Sequence, residues 1–414
     1  MKKVLNRWIY VISGTIALIF SGLVYAWTTL AGPISAHFPE WNEAQISLTF
    51  TIVMLGFCAG SFLGSFLLKR MKPMMLMFIS AVLFLIGFLL TSFAGSLFIL
   101  YLGFGAFGGI GSGLSYNAVM TAVLKWFPDK QGLCSGILLM GFGIGAFLIG
   151  KVYTAFTPSD GSETWRTSFL IFGIILLVIM AVTGLFTVLP PAEWQAPAPL
   201  KAKKRVTCYE DVKSNVMLRR ANFWLYFFWT ACVSSAGLMI ISQGRPIALE
   251  TMQLTTLSAT AAQMGSIATI VGLISIFNAV GRLIFGYLYD IIGRFLEMLI
   301  GCVVFVIGLL LIVFALNSHS EGLLIVAYIV TGLAYGCVNP TNSSFVRQYY
   351  GTENYSMNLS FINMVLLIAS FSSTIAGAVY DSSGSYLTVI FICLGLIAAG
   401  IILNFLIRTP KQKQ

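Results

Sequence analysis

Apolar stretches of membrane-spanning length recur along the whole chain and restrict its fold more than any other feature. A helix needs about 20 consecutive apolar residues to cross the hydrocarbon of a bilayer. Twelve stretches qualify, at about residues 7–30, 46–68, 74–94, 96–124, 131–153, 167–189, 222–245, 259–288, 295–316, 322–346, 354–380 and 385–408. Because lipid-embedded backbone must bond internally and these runs lack the short alternating pattern of a barrel, we predict an all-α membrane protein with twelve transmembrane helices.

The composition excludes a soluble domain. Of 414 residues, 58% are hydrophobic and only 9% are charged, whereas a soluble domain carries about 25% charged residues. The first apolar run follows basic residues as a signal peptide does. Its length and the absence of a small-residue cleavage site predict an uncleaved helix instead.

The net charge of +10 is arranged by topology, which argues against a nucleic-acid partner. Twenty of the 24 Lys and Arg residues fall in the termini and the even-numbered loops, leaving Lys151, Arg166, Arg245 and Arg282. By the positive-inside rule both termini are then cytoplasmic. We expect a multi-pass protein of the bacterial cytoplasmic membrane, in contact with lipid and acting as a monomer.

Internal similarity divides the chain into two halves. Gly64 pairs with Gly286, Asn117 with Asn339, and the Trp126-Phe127 dipeptide with Tyr349-Tyr350, all at nearly the same separation. The polar segment between the halves contains a Pro/Ala run and a basic cluster, as a linker would. We predict six helices in 1–189, a cytoplasmic linker at 190–220 and six helices in 221–414. Parallel repeats of this kind place a binding site between the halves near the midplane.

This architecture resembles the major facilitator superfamily. The loop pattern G-x-x-x-D-x-x-G-R is complete at Gly286, Asp290, Gly293 and Arg294, and Leu68 replaces the Asp in the first half. More narrowly, NRWIYV at 6–11, GLVYAWTTLAGPI at 22–34, KWFPDKQGLCSG at 125–136 and NPTNSS at 339–344 resemble the oxalate:formate antiporter group, a relative of the monocarboxylate transporters. The resemblance implies secondary transport, with Gly286, Asp290 and Arg294 in gating or structural roles.

Arg282 is the candidate anion-binding residue. A charge at the centre of a membrane helix costs about 2.5–3.5 kcal/mol, so such residues normally face a cavity and are functional. The sequence places Asp290, Glu297, Glu353 and Asp381 near helix ends, which leaves the substrate as the expected counter-ion. A structural arginine is the alternative. The resemblance agrees with a carboxylate ligand, which a guanidinium binds through two nitrogens.

Asn278, four residues before Arg282, is predicted to share its helix face. The resemblance to proton-linked monocarboxylate transporters would place Asp here, and Asn cannot carry a proton. Exchange is therefore favoured over proton symport. An amide that bonds across helices is an equal alternative for Asn278.

The resemblance also implies that Tyr25, Gln45 and Tyr116 line the substrate site, with Phe142 as a further aromatic. Packing is the alternative role for each Tyr. The oxalate carriers have a second cation in span eleven, where this chain has Ile362 or Asn363. A single central cation favours a monoanion over oxalate. Arg245 is either a second cation or an arginine reaching the membrane interface.

The remaining features indicate packing rather than chemistry. The G-x-G-x-x-G match at Gly103 lies inside an apolar span, where a nucleotide fingerprint does not belong. Gly141 and Gly145 in span five are predicted to permit close helix approach. We expect no enzyme activity, no cofactor and no metal site, because the cysteines are scattered and both histidines lie in loops.

Together these features predict alternating-access exchange of a small monocarboxylate of the formate, lactate or pyruvate class. A proton-linked symporter is the alternative, and a membrane sensor on a transporter scaffold is more remote.

Overall fold

The chain is almost wholly helical in a computed structural model that describes residues 6–41, 43–158, 161–191, 193–194, 210–254 and 260–409. Within those ranges, eleven helical segments are long and apolar enough to cross a membrane. The segment Thr269–Ser318 contains two spans, because the helix is interrupted at Gly293. Gly293 has a φ of 78°, a left-handed value that glycine adopts without steric cost. The prediction of twelve membrane-spanning helices is confirmed.

Two compact units divide the chain, Met1–Arg205 and Val206–Gln414. Residues 192, 195–209 and 410–414 lie outside the described residues, as do residues 1–5. They include most of the predicted linker and the basic residues near both ends of the chain. The bounds predicted for the linker therefore remain a prediction.

The first unit contains eight α-helices in the part of it that the structure describes. They are α1 Trp8–Ser21, α2 Trp27–His37, α3 Glu43–Leu67, α4 Pro73–Ser92, α5 Leu97–Leu100, α6 Gly109–Lys125, α7 Gln131–Phe156 and α8 Thr164–Gly184. A 3-10 segment, Gly22–Ala26, joins α1 to α2, and a π-helix, Tyr101–Gly108, joins α5 to α6. Two spans thus change their helical geometry partway through the membrane.

The second unit has a similar order of long helices over residues 210–254 and 260–409. They are α9 Ser214–Met217, α10 Ala221–Thr251, α11 Ala261–Ser318, α12 Glu321–Tyr335, α13 Val338–Tyr350, α14 Tyr355–Asn363, α15 Val365–Ser383 and α16 Tyr386–Leu406. Span seven is longer than predicted, since α10 continues past Pro246 to Thr251. Arg245 therefore lies inside a helix, where its side chain is exposed.

Glycines bring helices into backbone contact in both units. A Cβ at Gly145 of α7 would overlap the carbonyl oxygen of Ile19 in α1, and one at Gly281 of α11 would overlap that of Leu333 in α12. Gly141 likewise faces Thr15. Only glycine allows so close an approach, so the packing role predicted for Gly141 and Gly145 is confirmed.

The aromatic landmarks of the predicted repeat occupy similar environments, whereas the two asparagines differ in burial. Trp126 and Phe127 follow α6 and are buried, as are Tyr349 and Tyr350 at the end of α13. Asn117 is fully buried, and its Nδ2 donates to the Ser65 hydroxyl at 2.8 Å. Asn339 is half-buried. The aromatic pairs are thus core residues in each unit.

Candidate functional site

Arg282 and Asn278 are hydrogen-bonded neighbours on α11. The Arg282 Nε donates to Asn278 Oδ1 at 3.0 Å, as residues four apart on a helix can. Asn278 is buried, and Arg282 is half-buried within a spanning segment. The predicted proximity is therefore present, and the amide fixes the direction in which the guanidinium points.

Helix α12 passes unusually close to this pair. A Cβ at Gly336 would lie 2.6 Å from the Asn278 carbonyl oxygen and 2.7 Å from the Arg282 backbone nitrogen. The preceding residue, Tyr335, is within electrostatic range of Arg282, and its ring covers Gly237 of α10. The absence of a side chain at Gly336 thus allows the end of α12 to lie directly against the backbone of Asn278 and Arg282.

In the first unit, Tyr25 and Tyr116 belong to one aromatic cluster. The Phe142 ring centroid lies 5.3 Å from that of Tyr25 and 5.5 Å from that of Tyr116. Phe57 completes the cluster at 5.4 Å from Tyr116. Edge-to-face and tilted ring pairs at these distances are favourable. The structure thus brings together three of the aromatic residues singled out in the sequence.

Gln45 lies on α3, the helix that also carries Phe57 of this cluster. It is in the first turn of α3, five residues before Phe50, whose ring is 6.2 Å from that of Tyr25. Five residues correspond to about 8 Å of helix. The backbone carbonyl of Gln45 accepts a hydrogen bond from the Tyr101 hydroxyl at 2.7 Å, so α3 is anchored at this level.

Arg294 ties the second segment of α11 to the end of α16. Its Nη1 donates to Asn404 Oδ1 at 2.7 Å, and its Nη2 donates to the Ile407 carbonyl at 3.1 Å. Asp290 is half-buried and Gly286 is buried. The gating role predicted for these three residues is not tested by these contacts, which show that Arg294 also holds two helices together.

Two cations that the sequence assigned to loops are inside the protein. Arg294 is 7% exposed and Arg347 is 3% exposed. The guanidinium carbon of Arg347 lies 4.7 Å from the centroid of the Tyr355 ring, a cation–π geometry. Loop position in the sequence did not reveal this burial, since neither residue interrupts a long apolar run.

Glu297 was missed by sequence reasoning, which placed it near a helix end. It lies one turn after Arg294 and is completely buried. The Thr341 hydroxyl is 2.7 Å from its Oε1. Its predicted position near a helix end gave no sign of this burial, because neighbouring helices can cover a residue wherever it lies along its own helix.

Comparisons with known proteins agree with this architecture. The model of the Major Facilitator Superfamily matches residues 9–374 and 254–414. The uncharacterized MFS-type transporter YhjX of Escherichia coli (strain K12) is 27% identical over 368 residues, which cover 88% of this chain and 86% of that protein. The oxalate:formate antiporter of Oxalobacter formigenes is 25% identical over 362 residues, covering 84% and 80% respectively.

A solved structure shows the same fold. The proton:xylose symporter XylE superimposes with a TM-score of 0.68 at 14% identity, covering 97% of this chain and 95% of the symporter. At that identity the likeness concerns the fold alone. The family match spans nearly the whole chain, and the chain is therefore a member of the Major Facilitator Superfamily and a multi-pass secondary transporter rather than an enzyme.

Proposed function

We propose that this transporter exchanges small organic monocarboxylates, of the formate, lactate or pyruvate class, by alternating access. The observation that carries the proposal is Arg282, a guanidinium inside a spanning helix and oriented by Asn278 at 3.0 Å. Placing that charge in a membrane helix costs about 2.5–3.5 kcal/mol. A bound carboxylate offsets the cost through two charge-assisted hydrogen bonds.

The first unit contains the other residues that we propose to bind the substrate. Tyr25 and Tyr116 supply hydroxyl groups beside the apolar rings of Phe57 and Phe142. A small carboxylate has one charged end and a short apolar body, which suits a mostly apolar site with few polar groups. Gln45 adds an amide on the helix that carries Phe57.

Exchange follows from the cost of occluding the charge of Arg282. When the empty carrier changes between its outward-open and inward-open conformations, this guanidinium is closed off from water without the negative charge of a bound anion nearby. Removing a charge from water without an opposite charge beside it is energetically costly. The loaded carrier then reorients faster than the empty one. The similarity to an oxalate:formate antiporter supports this mode.

A proton-linked symporter is the second candidate, and the burial of Glu297 is the observation that favours it. A carboxyl group shielded from water can hold a proton across neutral pH. Asn278 argues against symport at its own position, because an amide does not titrate.

Transport into proteoliposomes separates the two candidates. Vesicles preloaded with formate, lactate, pyruvate or oxalate are compared with empty vesicles for uptake of the same labelled anion. Exchange predicts much faster uptake into preloaded vesicles and little effect of an inward proton gradient. Accumulation in empty vesicles driven by the gradient, without any gain from preloading, would replace exchange with symport. Absence of transport of all four anions would place the substrate of this transporter outside the proposed class.

We further propose the bacterial cytoplasmic membrane as the location, with both termini in the cytoplasm and a monomer as the working unit. The proposal rests on the one-sided distribution of Lys and Arg. Cysteines introduced at the exposed positions Glu40 and Lys213 test it. In sealed right-side-out vesicles, a membrane-impermeant maleimide should label Glu40→Cys and spare Lys213→Cys, and the opposite result reverses the orientation.

A further inference from the structure

The carboxyl group of Glu297 has an unusual set of neighbours for an acid. The residue is 0% exposed, so bulk solvent does not reach either oxygen. Its Oε1 lies 2.7 Å from the Thr341 hydroxyl oxygen. Its Oε2 has no hydrogen-bond partner among the residues that the structure describes. An ionised carboxylate left in this state would carry a large desolvation cost.

Two oxygen atoms lie within hydrogen-bond distance of the Thr341 hydroxyl, which has one hydrogen to donate. The Thr341 hydroxyl oxygen is 2.7 Å from Glu297 Oε1 and also 2.7 Å from the Cys337 carbonyl oxygen. A carbonyl oxygen only accepts, and a hydroxyl has one hydrogen to donate. If Thr341 donates to Cys337, the short contact to Glu297 requires a hydrogen from the carboxyl group itself.

The charges around the site do not replace that hydrogen. Arg294 is the nearest described cation on the same helix, and its guanidinium donates to Asn404 and Ile407. Among the described residues, no nitrogen of a basic side chain lies within 4.0 Å of a Glu297 carboxyl oxygen, the limit for an ion pair. The other titratable groups in electrostatic range are Tyr226 on α10, Tyr289 and Cys302 on α11, and Cys337 before α13. Asn404 of α16 does not titrate. These partners of Arg294 are uncharged, so its positive charge acts on Glu297 from a distance, without an ion pair or a hydrogen bond between the two side chains.

We propose that Glu297 is a proton-binding site of the second unit, occupied in this conformation. The carboxylic acid donates to the Thr341 hydroxyl, which donates in turn to the Cys337 carbonyl. This chain of donors links α11 to α13 without burying a negative charge. The neutral acid is not a counter-ion for the buried arginines, so the inference does not depend on which anion is transported.

Infrared spectroscopy of the purified full-length protein tests the proposal directly, and it needs no substrate. A protonated carboxyl group has a carbonyl stretch that is separate from the two carboxylate stretches. At pH 7 the wild-type spectrum should contain a buried-acid band that does not shift rapidly in D2O. Glu297→Gln should abolish that band while leaving the carboxylate bands unchanged.

The exposed Glu353 supplies the matched control. Glu353→Gln should lose carboxylate intensity at pH 7 and retain the acid band. If Glu297→Gln instead loses carboxylate intensity and no acid band, Glu297 is ionised and the proposal is wrong.

A second variant tests the site in a protein that retains Glu297. Thr341→Val keeps the side-chain shape and removes the hydroxyl that accepts the hydrogen bond from the acid. The acid band should remain and shift to higher frequency, because the carboxyl group loses its hydrogen-bonded partner. A band at the wild-type position would show that Thr341 does not bind the acid, and would overturn the proposal even if Glu297→Gln does not fold.

Discussion

The interiors of the two units differ in charge although both are built from long helices with glycine contacts. Among the described residues of the first unit, the buried polar side chains are uncharged, mainly Ser and Thr with Asn117. The second unit buries Arg294, Glu297 and Arg347, and it carries Arg282 in a spanning segment. Similar helical packing therefore supports an uncharged interior in one unit and an ionisable one in the other. The buried charges that an anion could contact therefore lie in the second unit among the described residues.

The largest expected effect comes from removing the proposed anion-binding charge. Arg282→Ala should reduce exchange in proteoliposomes by about 30- to 4,000-fold, because removing one partner of a buried charged pair costs about 2–5 kcal/mol. Arg282→Lys keeps the charge but not the planar fork, so its loss should be smaller. Lys151→Ala, which removes an exposed positive charge from the first unit, is the matched control. Equal transport by wild type and Arg282→Ala, at equal membrane abundance, would show that Arg282 is not the anion-binding residue.

Two buried asparagines allow the stability of the interiors to be compared. Asn404 accepts from the Arg294 guanidinium at 2.7 Å, whereas Asn117 donates to neutral Ser61 and Ser65. Asn404→Leu should destabilise the protein by about 2–3 kcal/mol and Asn117→Leu by about 1 kcal/mol, because a bond to a charged group is stronger. Thermal unfolding of the purified variants measures the difference. A lower melting temperature for Asn117→Leu would show that the charged interior is not the more sensitive one.

Glycine contacts should be equally important in both units. Gly145→Ala and Gly281→Ala each place a methyl group on a carbonyl oxygen, of Ile19 and Leu333 respectively. Overpacking of this kind costs about 1–3 kcal/mol, so both variants should melt earlier by similar amounts. Gly395→Ala is the control, since nothing lies within 4 Å of its added Cβ. A large fall in melting temperature for only one of the two variants would show that the glycine contacts are not equally important in the two units.

The smallest effects are expected from the hydroxyl groups of the first unit. Tyr25→Phe and Tyr116→Phe retain the ring contacts to Phe142 and remove one hydrogen-bonding group each. A neutral hydrogen bond contributes about 0.5–1.5 kcal/mol, so the half-saturating anion concentration should rise by about 2- to 10-fold. An unchanged half-saturating anion concentration for both variants would show that these tyrosines pack against their neighbours and do not bind the anion.

The sequence predicted those features that depend on local pattern. Span length follows from hydropathy, and the contact between Asn278 and Arg282 follows from helical periodicity. The burial of Glu297 depends on Thr341, which is 44 positions away in the chain. A glutamate near a helix end has the same local sequence whether it faces water or a neighbouring helix. The 3-10 segment at Gly22–Ala26 and the π-helix at Tyr101–Gly108 likewise depend on tertiary packing.

The interruption at Gly293 fixes the rotational phase between the two segments of α11. It is the one non-helical residue between Ala261 and Ser318, so no loop absorbs added length there. Each residue inserted into a helix rotates all later residues of that helix by about 100°. One extra residue after Gly293 would turn Glu297 away from Thr341 and Arg294 away from Asn404. Changes in length at this joint should therefore be far less tolerated than changes of residue type on the exposed face of the same helix.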